Sequence, residues 1–268
     1  MACICEPRFE LVVDLLTARE SLWLLYIMRS EKPVAQRFDF ERTWQIKFST
    51  CLESVAGSEV RDMIMQGGEL LDDLTDREEV LAWSRKAMDD VDTLLDEDIG
   101  IQVLTGCACR YPTQDLIPIR ERFMETGDID EVIVMLQERF VTFLRDDIQL
   151  PEAMIEIVVA NHWGLAGERY GKTITATKIP KSGNLHAYLE ESDPEKKRAL
   201  YCYCPRIRDI VNQPETISAT YCYCGGGFYK SLWEDIVQES VEVELLRSVI
   251  QGDDVCSFAI HLPKTFNM

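Results

Sequence analysis

A chain of 268 residues that is 46% apolar and 28% charged can bury the core of one large domain or two small ones, which excludes wholesale disorder. Its 47 acidic residues against 28 basic ones leave a net charge of −19, which repels phosphate backbones and argues against a nucleic-acid partner. No apolar run reaches the roughly 20 residues that a bilayer-spanning helix needs. The first ten residues lack the layout of a signal peptide, so the expectation is a cytoplasmic protein with no membrane contact.

The predicted elements begin as helices. Phe9, Val12, Val13, Leu15, Leu16 and the Leu22-Trp-Leu-Leu25 cluster form an apolar stripe over residues 8–29, broken at Glu31-Lys-Pro33. Trp44, Phe48 and Leu52 recur every four residues and predict a helix over 40–55. A third helix is expected over 59–71, interrupted by Gly67-Gly68. Thr75 followed by Glu78 reads as a capping box that opens a helix to residue 95, and 96–106 continues helical as far as Cys107. Helices over 116–126, 129–145 and 151–161 follow, with Gly127 as a stop, Asp128 as an N-cap and Pro151 as a start.

The pattern changes near Trp163. Gly164, Gly167 and Gly171 punctuate a loop, and β-branched alternation predicts a strand over 172–179. Tyr201-Cys-Tyr-Cys204 recurs as Tyr221-Cys-Tyr-Cys224, and the alternation predicts strands over 199–204 and 218–224. Gly225-Gly-Gly227 then leads into a helix over 228–238. Segments 241–250 and 255–262 pair as a hairpin around Gln251-Gly-Asp-Asp254. The fold class expected is α+β: a helical N-terminal region over 1–160 packed on a C-terminal antiparallel-sheet, ligand-binding domain over 161–268.

Cysteine spacing is the main chemical signal. Eight of the ten cysteines fall in four Cys-x-Cys pairs, Cys3/Cys5, Cys107/Cys109, Cys202/Cys204 and Cys222/Cys224, while Cys51 and Cys256 stand alone. On strands, both thiols of a pair face one way, so four thiolates converge if the strands are neighbours, as in a tetrahedral zinc site or an iron–sulfur cluster. Cys107, Cys109, Cys202, Cys204, Cys222 and Cys224 are therefore candidate metal ligands, with zinc the candidate cofactor. Two other readings stay open: reduced, partly buried thiols with no metal, and thiols used for nucleophilic or redox chemistry. Arg110, Arg206 and Arg208 each follow a cysteine pair closely, so they are candidate anchors for a carboxylate ligand. Tyr203 and Tyr223 are expected on the face opposite the thiols. The three glycines at 225–227 present backbone N–H groups to an anion or permit a tight turn. His162, His186 and His261 form no helical metal motif.

The stretch Tyr221-Cys-Tyr-Cys-Gly-Gly-Gly-Phe-Tyr-Lys-Ser-Leu-Trp-Glu234, and its continuation from Val241 through Gly252-Asp-Asp-Val-Cys-Ser-Phe258 to Ile260, resembles the final segment of 4-vinyl-reductase-type small-molecule-binding domains. It is also similar to the end of the L-2-amino-thiazoline-4-carboxylic acid hydrolase-like proteins. The likeness covers about the last 50 residues. It implies an α+β fold with an internal ligand cavity, in some members accompanied by cysteine-bound zinc. The functional expectation is a small-molecule-binding or sensor protein with a cysteine-lined site. The alternatives are a hydrolase of a small carboxylated substrate, using a cysteine thiolate or a metal-bound water, and a thiol redox sensor. The free edge of the C-terminal hairpin offers a route to a homodimer.

Overall fold

The computed structural model describes residues 39–181, 184–213 and 216–263. The helix expected over 8–29 and the Cys3/Cys5 pair lie outside the described residues. Seven helices come first: α1 (Phe40–Ala56), α2 (Ser58–Met65), α3 (Arg77–Leu94), α4 (Glu97–Gly106), α5 (Thr113–Thr126), α6 (Ile129–Asp146) and α7 (Glu152–Ala160). They are followed by β1 (Glu168–Tyr170), β2 (Thr173–Thr177), α8 (Leu185–Glu190), α9 (Pro194–Tyr201), α10 (Pro205–Arg208), α11 (Tyr223–Val237), β3 (Glu242–Arg247) and β4 (Ser257–His261). No helix among these residues is long and apolar enough to cross a membrane.

The helical half forms as its pattern dictates. Asp39 and Asp128 each accept backbone N–H groups at the starts of α1 and α6. Gly127 takes the left-handed conformation that ends α5. In α6, Ile129, Val132, Leu136, Phe140 and Leu144 line one buried face. Each such side chain contributes about 1.5–3 kcal/mol by leaving water. Two boundaries differ from the sequence reading. Thr75 does not cap α3: its hydroxyl bonds the Asp72 side chain, and Asp76 accepts the Glu78 N–H instead. The helix expected to reach residue 71 ends at Met65, because Gly68 lies flat under Trp83, where a Cβ would sit 2.3 Å from the indole.

The four strands form one antiparallel sheet in the order β1-β2-β4-β3. The C-terminal hairpin is present as expected, with Leu245 opposite Phe258 and Val243 opposite Ile260. Strand β1 and helix α8 were not foreseen. The β1–β2 hairpin turns at Gly171, whose φ of 61° is left-handed.

Neither strand expected to carry a repeated cysteine pair exists. Residues 194–201 form α9, because Asp193 accepts the N–H groups of Glu195 and Lys196 and Pro194 opens the first turn. Cys202 to Cys204 is then a short extended link to α10. Residues 219–222 form a 3-10 turn, capped by Ser218 accepting the Thr220 N–H, that runs straight into α11. A four-residue Tyr-Cys alternation is too short to outweigh these caps. The glycines at 225–227 are accordingly not a strand-to-helix turn. They lie inside the first turns of α11 and let its backbone approach its neighbours: a Cβ on Gly227 would sit 2.1 Å from the Thr105 carbonyl oxygen, and one on Gly226 would sit 3.2 Å from Phe258. Helix α11 thereby packs on α4 and α5 and on β3 and β4, and one connected core spans both halves of the chain.

Candidate functional site: a thiol-lined cavity

A cavity of about 180 Å³ lies among α1, the loop after α4, the end of β2, the 202–204 link and the start of α11. Six cysteines line it, Cys109, Cys202, Cys204, Cys222, Cys224 and Cys256, together with the rings of Phe40, Trp44, Tyr111, Tyr201, Tyr203, Tyr221, Phe228, Tyr229 and Phe258. Among the described residues, the lining holds two cations, Arg110 and Lys178, and no carboxylate. In a chain of charge −19 this is a local reversal of sign.

Buried hydroxyls fix the walls. The Tyr201 hydroxyl donates to the Lys178 carbonyl at 2.6 Å and accepts from the Cys256 N–H at 2.9 Å, tying the end of β2 to the approach of β4. The Tyr229 hydroxyl donates to the Gly164 carbonyl at 2.9 Å. Each bond satisfies a polar group that would otherwise be buried unpaired, at a cost of about 1–3 kcal/mol.

The thiols fall into two surroundings. Cys202, Cys222 and Cys256 form the first. The Cys222 sulfur lies 3.1 Å from the Ser248 hydroxyl. Burial pushes all three thiols up, and their mutual proximity disfavours a second charge, so they stay protonated at neutral pH.

The second group is polar and cationic. The Cys204 thiol donates to the Tyr221 hydroxyl at 3.1 Å, which also accepts from Arg206 Nη1 at 3.2 Å. Arg206 is wholly buried, paired with Glu41, and stacked 4.0 Å from the Trp44 ring centroid. Burial raises the Glu41 carboxyl against the pull of that guanidinium. Cys224 and Cys107 are neighbouring thiols that influence each other's ionisation. The Cys107 thiol donates to the Leu104 carbonyl at 3.3 Å. The Cys107 side chain pulls Cys224 down to about 6, opposed by burial and helped by Trp44, Lys178 and Arg206. The Cys224 side chain, followed by burial, holds Cys107 well above the usual thiol range. The Trp44 indole N–H has no acceptor within strict hydrogen-bond geometry, so its influence on the sulfur is a dipole at longer reach.

The structure thus gathers Cys109, Cys202, Cys204, Cys222 and Cys224 at one cavity and sets buried Cys107 behind its wall as a neighbour of Cys224. Among the described residues, no three His, Cys, Asp or Glu side chains are placed to share a metal ion. The zinc expected from four strand-borne thiolates has no such ligand set there, since the strands that were to aim them are absent. The three arginines are not gathered. Arg110 is exposed at the cavity, Arg206 is buried on Glu41, and Arg208 is half-buried outside the lining. Tyr203 lines the cavity beside Cys202 and Cys204, not opposite them, because an extended link has no sheet faces to divide. The three histidines are exposed or half-buried and none lines the cavity. Sequence reasoning placed Trp44 in a helix stripe and Cys256 in the closing hairpin, but assigned neither of them, nor Lys178 or Ser248, to the site.

Fold and site together define an α+β protein with a thiol-lined internal cavity. Residues 190–266 match a family of unknown function (DUF6144), and that stretch supplies most of the lining, from Tyr201 through Phe258. No curated protein and no solved structure matches the chain.

Proposed function

We propose that this is a cytoplasmic small-molecule-binding protein whose ligand is largely apolar and carries a carboxylate or similar anion. The observation that supports the reading most is the cavity lining: aromatic rings and thiols, two cations and no carboxylate, in a strongly acidic chain. The rings and thiols supply apolar contact, while Lys178 and Arg110 supply charge-assisted hydrogen bonds to the anionic end. None of the eight described cysteines is joined in a disulfide, which suits a reducing compartment.

The test uses anilinonaphthalene sulfonate, an anionic aromatic fluorophore, displaced by aryl and alkyl carboxylates and by their neutral amides. Saturable binding is expected, with carboxylates displacing the dye better than amides. Lys178→Met should weaken the carboxylate about tenfold, the worth of one charge-assisted hydrogen bond, and leave the amide unchanged. Ile179→Trp should block both by filling the cavity. Equal displacement by acid and amide, or an Ile179→Trp protein that binds normally, would overturn the proposal.

A second reading is a hydrolase of a small carboxylated substrate with Cys224 as the nucleophile. Its depressed thiol on the cavity wall favours this reading. It requires that Cys224→Ser abolish turnover of an activated ester of a bound carboxylate while dye binding persists.

A further inference from the structure

The cavity reading leaves one arrangement unexplained: a half-buried thiol on the wall with a fully buried thiol as its neighbour behind it. Cys224 lines the cavity, whereas Cys107 is 1% exposed and does not. Of the other thiols near Cys224, Cys204 is held on the Tyr221 hydroxyl and Cys222 beside the Ser248 hydroxyl. Cys107 is the buried thiol that neighbours the Cys224 sulfur, its own proton donated to the Leu104 carbonyl.

The backbones are placed to let the two sulfurs join. A Cβ on Gly227 would lie 2.6 Å from the Thr105 Cα and 2.7 Å from the Ala108 Cβ, so α11 and the end of α4 touch backbone to backbone. Cys224 stands one helical turn before Gly227, and Cys107 lies between Thr105 and Ala108. A disulfide needs Cα atoms roughly 4.4–6.8 Å apart, a span that only such close packing of two elements provides. The Lys178 ammonium nitrogen lies 3.3 Å from where a Gly225 Cβ would be, beside the residue that follows Cys224.

We propose that Cys224 and Cys107 form a peroxide-reducing dithiol, with Cys224 attacking a small hydroperoxide in the cavity and Cys107 resolving the product. In the first step the Cys224 thiolate attacks the terminal oxygen of ROOH. The S–O bond forms, the O–O bond breaks, and RO⁻ leaves, taking a proton from the Lys178 ammonium, which is replenished by solvent. Cys224 is then a sulfenic acid. In the second step the Cys107 sulfur attacks the Cys224 sulfur and expels hydroxide, which takes up the Cys107 proton as water. Two thiols and one hydroperoxide thus become one disulfide, one alcohol and one water. A dithiol reductant, oxidised in its turn, restores the pair. The apolar lining makes an alkyl or aryl hydroperoxide the fitting substrate, and this preference rests on the reading of the cavity as a site for apolar molecules.

The experiment treats the reduced full-length protein with one equivalent of hydrogen peroxide or cumene hydroperoxide, followed by intact mass and non-reducing peptide mapping. A loss of two hydrogens, with the peptides of Cys107 and Cys224 linked, is expected. Cys107→Ser should stop at a dimedone-trappable sulfenic acid on Cys224. Cys224→Ser should leave Cys107 reduced. With dithiothreitol present, the wild-type protein should consume cumene hydroperoxide over many turnovers, and both cysteine variants should lose at least about tenfold in that rate, a threshold set at one decade. A disulfide confined to other cysteines, or no disulfide at all, would overturn the dithiol. Hydrogen peroxide is too small to need an apolar site. A Cys107–Cys224 bond formed with it, in a protein that binds no carboxylate, would therefore sink the ligand-binding reading and leave the dithiol standing.

Discussion

Gly227→Ala is the most direct test of how the site is assembled. Inside a helix, alanine is favoured over glycine by about 1 kcal/mol, so propensity alone predicts a more stable protein. The structure predicts the reverse. The new methyl would lie 2.1 Å from the Thr105 carbonyl oxygen, 2.6 Å from its Cα and 2.7 Å from the Ala108 Cβ. Two of these obstacles are backbone and none is the end of a flexible side chain, so α11 and α4 must part. Overpacking costs about 1–3 kcal/mol, and an immovable neighbour places this site at the upper end. The net expectation is a loss of about 2 kcal/mol, some thirtyfold in the folding equilibrium. Gly225→Ala is the control. Its Cβ would meet the Phe258 ring edge at 3.2 Å and the Lys178 amine at 3.3 Å, both able to yield, so its stability should stay within about 1 kcal/mol of wild type. Urea denaturation with unchanged m-values reads both as shifts in midpoint. A Gly227→Ala protein more stable than wild type would refute the backbone contact, and with it the account of how Cys224 reaches Cys107.

Three further outcomes follow from the same contacts. Alkylation of Cys224 by iodoacetamide should rise with pH around a midpoint near 6, because its folded pKa is depressed and the thiolate is the reactive form; Cys107→Ala should move that midpoint upward by removing the main stabilising neighbour. Cys202 and Cys222, pushed up by burial, should stay unmodified at pH 7 in the native protein, and their labelling there by mass mapping would contradict the cavity's two-part division. Arg206→Met should lose about 3–5 kcal/mol in urea by stranding the buried Glu41 carboxylate, while Arg206→Met with Glu41→Leu should recover most of it; a single variant as stable as wild type would mean that the pair is solvated.

Periodicity, helped in places by capping, made the helical half legible, because these signals are local to each helix. The stripe of Trp44, Phe48 and Leu52 and the Asp128 cap are cases where one segment contains all the information its helix needs. The hairpin closing at Ser257–His261 was legible for the same reason. The cysteine segments misled because the alternation that suggests a strand covers four residues, and the opposing signals, Asp193-Pro194 and Ser218, lie outside the motif. The meaning of Gly225-Gly-Gly227 was hidden in a different way. Their role is set by what they touch, Thr105 and Phe258, which lie far away in the chain. Lys178 and Cys256 were not assigned to the site because convergence at a cavity leaves no mark in sequence spacing.

The repeated Tyr-Cys-Tyr-Cys motif still carries meaning once its strands are withdrawn. In both copies the first cysteine goes to the neutral cluster: Cys202 and Cys222 join Cys256, where burial keeps all three protonated. In both copies the second goes to the charged side: Cys204 on Tyr221 and near Arg206, and Cys224 beside Cys107 with Lys178 and Arg206 nearby. The two environments coexist because the buried Arg206–Glu41 pair stands behind one side only, with Trp44 stacked on the guanidinium. Among four similar thiols this asymmetry singles out Cys224, whose thiolate is favoured beside a sulfur that cannot itself ionise nearby. Exchanging the roles would require moving Arg206 and Cys107 together. Cys204→Ser should therefore leave the Cys224 alkylation midpoint within about half a pH unit of wild type, a shift of under 1 kcal/mol, while Cys107→Ala displaces it. Equal displacement by both variants would show that the thiols titrate as one cluster and that no single cysteine holds the reactive position.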